Sequence, residues 1–249
     1  MTSTTTSQSE VSEEPRASIA DSPYQSKKSD AFSSHSLILR LAGQGGGRRL
    51  LDVGAAHGYL AAELRSQGFW VTGLEADRVL GEEAAKHCDQ FLALDLDEPL
   101  PAFSQPFDVM VFGDVLEHLK NPVSVLRQLT ASLKEDGAAI ISLPNVANIY
   151  VRLSLLLGRF DYQDRGILDR THLHFFTRKS FCEFLEDAGL EPEQLTATPI
   201  PLPLVVPKRY QGWLFAALHA MNAGLARVWP TLFGYQFVAV ARRKRPNAA

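Results

Sequence analysis

Apolar residues along this chain recur in two alternating rhythms. Short apolar runs stand at residues 49–53, 69–74, 91–94, 107–112 and 138–143, most of them bounded by Gly, Pro or acidic residues. Runs of that length with those boundaries read as buried strands. Between them, apolar residues fall three and four apart, as one face of a helix requires. Helices are therefore expected over 36–41 (closed by Gly43), from Tyr59 to Gly68, over 78–88, and from the Asn121-Pro122 start onward. The last carries a stripe of Val123, Leu126, Leu129 and Leu133 and is expected to end at Gly137. Strand and helix alternating with short connections predict a parallel, doubly wound α/β sheet.

The rhythm breaks after residue 145. Residues 149–158 are apolar and helical, but 159–176 are irregular and crowded with charged, aromatic and histidine side chains. Long irregular stretches in a compact domain are often functional lids. Thr177 then caps a helix carrying Phe181, Phe184, Leu185 and Ala188. Residues 195–206 run into four prolines and read as an edge strand or extended arm, and 234–241 as a final strand. Between these two lies an apolar helical insertion over 210–229, containing His219, Asn222 and Arg227. A spanning helix needs about 20 mostly apolar residues, so packing on the domain is the expectation, with peripheral contact at a membrane surface as the alternative.

Composition changes this picture at the ends. Residues 1–29 are rich in Ser, Thr, Glu and Gln, cannot bury enough surface to offset their ordering entropy, and are expected to be a disordered tail. The organisation read from the chain is that tail, a core over 30–145, then a lid, closing strands and helical insertion of the same domain over 146–241, and a basic tail over 242–249. A net charge of -3 exerts no global pull on nucleic acid or an anionic membrane. Cys88 and Cys182 suit neither a disulfide framework nor a zinc knuckle. The first residues lack a basic then apolar signal pattern, so a cytoplasmic location is expected, with a peripheral membrane position as its variant.

The chemistry concentrates at Asp52-Val53-Gly54-Ala55-Ala56-His57-Gly58, where the first strand turns into a helix. Gly54 and Gly58 let the backbone turn and approach a ligand without a Cβ in the way, and the amides of the following helix face the same turn. Dinucleotide binding would need Gly-x-Gly-x-x-Gly, which is absent. This opposes a nicotinamide-dependent oxidoreductase. Glu75 closes the second strand about 20 residues on, where a carboxylate can accept both hydroxyls of a ribose.

Leu-Asp-Val-Gly-Ala-Ala-His-Gly resembles the first motif of class I S-adenosylmethionine-dependent methyltransferases, with Ala56 where the middle glycine usually stands. Glu75, Asp95, Phe-Asp-Val-Met-Val-Phe, Leu-Glu-His-Leu and Leu-Lys-Glu-Asp-Gly-Ala-Ala-Ile-Ile-Ser follow in the family's order over residues 48–145. The wording is similar to the small-molecule group that includes the ubiquinone-biosynthesis O-methyltransferases. The resemblance implies a seven-stranded Rossmann-like sheet with a C-terminal antiparallel strand and helical lid insertions. It also implies S-adenosylmethionine held by Asp52, Gly54, Ala56, Gly58, Glu75, Asp95, Leu96 and Gly113, with Asp95 at the adenine amino group and its neighbour against the ring.

Methyl transfer is an in-line displacement that demands alignment and, for a hydroxyl acceptor, a base. His118 and His172 are the candidates, since imidazole titrates near neutrality. A competing arrangement puts Asp114, Glu117, His118 and His172 around Mg²⁺, similar to the metal-dependent RNA 3′-end 2′-O-methyltransferases. Carboxylate and imidazole suit such an ion. No basic aromatic groove is evident, which disfavours nucleic acid. The expected acceptor is a small molecule, a sugar or a lipid-linked intermediate, methylated on oxygen. The contrasting reading is a catalytically inactive module of the same fold that binds cofactor or a partner.

Overall fold

The computed structural model describes residues 30–43 and 48–244. The expected disordered tail, the connection over 44–47 and the last residues of the basic run lie outside the described residues. Seven strands form one sheet in the order β3-β2-β1-β4-β5-β7-β6. In chain order these are β1 (Arg49–Val53), β2 (Trp70–Glu75), β3 (Gln90–Ala93), β4 (Phe107–Gly113), β5 (Leu133–Pro144), β6 (Leu190–Thr198) and β7 (Gln236–Arg243). β1 to β5 pair in parallel, while β7 runs antiparallel to both β5 and β6.

Both faces of the sheet are covered, which explains the near-continuous apolar runs of its central strands. Alternate residues go to opposite layers. Leu51, Val53, Met110, Phe112, Ile141 and Phe237 enter one core cluster, and Leu50, Val109, Val111, Ile140 and Val238 enter the other. The first layer is closed by α4 (Pro122–Thr130) and α6 (Arg178–Asp187), the second by α1 (Ser34–Ala42) and α2 (Tyr59–Ser66). Each fully buried Leu, Ile or Phe contributes about 1.5–3 kcal/mol relative to exposure. Local chemistry agrees with the packing. Thr177 and Ser180 form a reciprocal capping box at the start of α6, and Ser33 caps α1.

Several boundaries fall elsewhere than the periodicity suggests. α4 stops at Thr130, and Leu133 begins β5 instead of ending the helix, so Gly137 sits inside a 12-residue strand. The first residues of β5 pair irregularly with β4, with a register shift after Phe107, and this bulged start masks the strand's period. Asn121 precedes α4 without a side-chain cap bond. The segment 78–88 is an α-helix only as far as Ala84 (α3, Arg78–Ala84), followed by a 3₁₀ turn. β6 begins at Leu190, and the prolines expected within it follow its end. β7 runs through Arg243, so Arg242 and Arg243 belong to the sheet rather than to a tail. Arg242 pairs with Glu193 on β6 at 2.8 Å.

Beyond the sheet core, α5 (Ile149–Leu156) leads into the irregular segment, which carries two isolated bridges, Gln163 with Asp169 and Phe176 with Asn145. The insertion between β6 and β7 comprises a short α7 (Leu202–Val205), α8 (Trp213–Val228) and a short α9 (Pro230–Phe233). α8 packs on β6 and α9. Among the described residues no helix is long and apolar enough to cross a membrane.

Candidate functional site

The strand order reverses between β1 and β4, and a cavity of about 480 Å³ opens off their carboxyl ends. This is where an open α/β sheet places its ligand, and the size suits a small-molecule site. Of the residues proposed for a cofactor, Asp52, Gly54, Ala56, Glu75, Asp95, Leu96 and Gly113 line it. Gly58 does not. It caps α2 in the left-handed region at φ 77°, and a Cβ there would lie 2.9 Å from the Ala84 Cα. Packing against α3 is the reason for that glycine. Gly54, at φ 73°, is needed twice over, because a Cβ would also meet Val115 at 2.8 Å.

Ala56 holds a left-handed φ of 47°, a region that costs an L-residue about 1–2 kcal/mol. Its N–H donates to Glu75 Oε2 at 2.8 Å, so the β2 carboxylate fixes the β1 turn. Glu75 Oε1 accepts from the N–H groups of Ala76 and Asp77. Asp52 is buried beneath the turn, and its Oδ2 has no hydrogen-bond partner among the described residues. Burial, reinforced by the Glu75 carboxylate, pushes the Asp52 acid up to about 7.

The opposite wall is built from the lid and the end of β4. His118 follows β4 on a 3₁₀ turn, and His172 comes from the irregular segment. Their ring centroids lie 4.8 Å apart, edge to face. Nδ1 of His172 is 3.1 Å from the Ile167 carbonyl, which can only accept, so this nitrogen donates and Nε2 is the acceptor in the neutral ring. Nε2 faces Glu117 Oε1 at 3.9 Å. Burial, then the neighbouring His118, hold the His172 imidazole below the usual histidine range.

Thr171 orients His118. Its hydroxyl donates to Asp169 Oδ1 at 2.7 Å, and its oxygen lies 3.0 Å from His118 Nδ1. With the Thr171 hydrogen committed to Asp169, Nδ1 of His118 donates and Nε2 carries the lone pair. Burial alone would raise the Asp169 acid, but the two bonds from Thr171 and the two histidines outweigh it, and the carboxyl sits below its usual range.

Of the four residues proposed around a metal, three converge. One ligand atom each from Glu117, His118 and His172 lies within 4.8 Å of the others. Asp114 is not in that group. It sits at φ 56° and accepts from the Ser142 hydroxyl at 2.5 Å.

The pattern of the sequence did not identify Asp169, Thr171, Thr198, Tyr235 or Gln236, yet all but Thr171 line the cavity. Burial, with the Asp114 carboxylate behind it, pushes the Tyr235 phenol up to about 12. The Asp-x-Thr-His spacing was the one available signal for the first two. His35, in the first turn of α1, also lines the cavity.

A family model described as a methyltransferase domain matches residues 25–195. The chain is 28% identical over 152 residues to the ubiquinone biosynthesis O-methyltransferase of Aeromonas salmonicida, covering 58% of this chain and 63% of that protein. It is 30% identical over 164 residues to that of Bordetella avium, covering 62% and 67%. The chain thus spans about half to two thirds of the length of the curated relatives it matches. A methyltransferase from Archaeoglobus fulgidus shares the fold with a TM-score of 0.56 at 17% identity, over 84% of this chain and 92% of that one. Magnesium protoporphyrin IX methyltransferase from Synechocystis, solved with bound S-adenosylhomocysteine, gives 0.55 at 16% identity, over 85% and 82%.

Proposed function

The chain belongs to the S-adenosylmethionine-dependent methyltransferases, and from that premise we propose that it methylates a hydroxyl oxygen of a small or lipid-linked acceptor, with His118 as the base. The observation that carries the reading is the Asp169–Thr171–His118 chain, which presents the His118 Nε2 lone pair on a residue lining the cavity.

The cavity fits the cofactor on its own chemistry. Asp52 brings a buried carboxylate oxygen with no partner, suited to a cationic group. Gly54, Ala56 and Gly113 leave room for close backbone approach. Glu75 would accept the ribose hydroxyls with the lone pairs its three amide bonds leave, Asp95 would take the adenine amino group, and Leu96 would pack the ring. Bound there, S-adenosylmethionine supplies an electrophilic methyl group on a sulfonium. The chain's own part is to align the acceptor and take its proton. His118 Nε2 accepts that proton, Nδ1 keeps its hydrogen on Thr171, and Asp169 stabilises the imidazolium that results. Asp169 thus acts through Thr171 as a positioning residue.

Phe160, Tyr162 and Phe175 form an aromatic cluster on the lid beside His172, outside the cavity lining. A second reading is favoured by one observation, the convergence of Glu117, His118 and His172. Those three side chains would hold a divalent cation that lowers the acceptor hydroxyl's pKa by direct coordination.

The test is methyl transfer from S-adenosylmethionine to a panel of phenols, catechols and prenylated catechols, with and without a chelator. Turnover on an oxygen acceptor that survives chelation supports the base reading. Turnover lost on chelation and restored by Mg²⁺ transfers the role to the cation. Methylation confined to nitrogen or carbon acceptors overturns the oxygen assignment.

A further inference from the structure

We infer that the α7–α8 insertion is a docking surface for an anionic lipid bilayer. α8 is amphipathic in the reverse of the usual sense. A surface helix turns its large apolar side chains inward, whereas α8 turns inward His219, Ala223 and Ala226, with Asn222 half-buried. His219 Nε2 meets Asp30 Oδ2 at 3.0 Å and Asn222 donates to the Ile200 carbonyl at 2.8 Å. The outward face consists of Trp213, Leu214, Leu218, Met221, Leu225 and Val228, with Trp213 82% and Val228 85% exposed. The polar anchors hold that face outward, so it is a built feature of the fold.

Charge selects the occupant. No Asp or Glu occurs anywhere in the chain after Glu193, while Lys208, Arg209 and Arg227 flank the apolar face and are exposed. In a protein of net charge -3, this is a local basic and apolar surface. Trp213, Trp229 and Tyr210 are the aromatic types that settle at the headgroup level. A helix of 16 residues is about 24 Å long, shorter than the hydrocarbon core of about 30 Å. It therefore lies in the interface plane with its apolar face down. Gln211 ties α7 to the start of α8 through the carbonyls of Pro203 and Val206. Pro201 and Leu204 of that segment line the cavity, as does Asp30, the partner of His219. The docked face is continuous with the cavity wall, and an apolar acceptor could pass from bilayer to site without crossing water. Docking stands without the acceptor reading above; only this delivery role rests on it.

Flotation of the purified chain with phosphatidylcholine vesicles and with vesicles half phosphatidylglycerol tests the inference without any acceptor. Binding is expected to the anionic vesicles, weakening with salt. Removing Lys208 or Arg209 (K208A, R209A) should weaken it about fivefold for each side chain. The double variant W213E/L218E should weaken it by about tenfold or more while keeping the wild-type melting temperature and S-adenosylhomocysteine affinity. No binding to either vesicle overturns the inference, as does equal binding to both. A chain indifferent to vesicles that sediments as a dimer, and is made monomeric by W213E/L218E, gives the face to a second copy and overturns it as well.

Discussion

Thr171 and His118 stand 53 positions apart in the chain, and Thr171 Oγ1 meets His118 Nδ1 at 3.0 Å. Because the Thr171 hydroxyl donates to Asp169 at 2.7 Å, its oxygen is left to accept, and this fixes the tautomer of His118. The lid therefore does more than cover the cavity: it decides which nitrogen of a β4-end histidine can receive a proton.

His118→Gln should lower kcat by about 10²–10⁴-fold, the usual range for loss of a general base. S-adenosylhomocysteine affinity should stay within about twofold, because His118 takes no part in the proposed cofactor contacts. Thr171→Val keeps the shape but removes the hydroxyl acceptor, leaving the Nδ1 hydrogen only the Thr171 carbonyl at 3.3 Å. It should cost about tenfold in kcat with KM little changed, and Thr171→Ser should restore most of the loss. A wild-type rate in Thr171→Val, measured with saturating cofactor, would remove the positioning role.

The turn at Ala56 carries a separate prediction. Ala56 is held at φ 47°, where glycine pays no Cβ penalty. Ala56→Gly should therefore raise stability by about 1 kcal/mol, partly offset by the greater backbone freedom of glycine in the unfolded chain. Urea unfolding measures it. A destabilised variant would mean that the Ala56 methyl makes a contact worth more than the strain.

Glu75 joins the two halves of the proposed cofactor cradle through its bond to the Ala56 N–H. Glu75→Gln keeps the shape, loses the charge, and retains one acceptor oxygen in place of two. It should weaken S-adenosylhomocysteine binding by about 1–3 kcal/mol, read by titration calorimetry. Melting temperature should fall too, because the carboxylate accepts from three backbone amides. Unchanged affinity with a lowered melting temperature would make Glu75 a turn clamp and move the ribose elsewhere.

The parallel half of the fold was legible because its central strands are buried on both faces and broken cleanly by Gly, Pro or acidic residues. Leu50 to Val53 and Val109 to Phe112 could hardly read otherwise. Leu133 was misleading for a local reason: it continues the three-four spacing of Leu126 and Leu129, although the chain has already left the helix at Thr130. β6 was obscured by its polar, half-exposed residues, as an edge strand's often are. The cavity's first wall was readable because its residues follow one another at strand ends. The second wall was less so. Thr198 and Tyr235 reach the site only through antiparallel pairing of β6 with β7, and nothing local in the sequence marks Thr171 as the partner of His118. The resemblance marked Gly58 for a ligand, where tight packing on Ala84 is what requires it.

Asp52 should make stability depend on pH in the sense opposite to a salt-bridged carboxylate. Its acid is raised from 3.8 to about 7 by burial, reinforced by Glu75, so between those values the folded chain holds a proton that the unfolded chain has released. Stability is then lost as pH rises. The contribution is full below the unfolded value of 3.8, declines through the interval, and is gone above about 7. The full span is ~4 kcal/mol at 1.36 kcal/mol per pH unit. Asp52→Asn should flatten the slope between pH 5 and about 7 and leave the chain more stable than wild type at pH 8. A cationic cofactor reverses the balance by favouring the ionised carboxylate. S-adenosylmethionine should therefore bind more tightly as pH rises from 5.5 toward about 7.5, with proton release visible as a buffer-dependent enthalpy in calorimetry. Affinity independent of pH in wild type, with a slope unchanged by Asp52→Asn, would take the Asp52 carboxylate out of contact with the cofactor's charge.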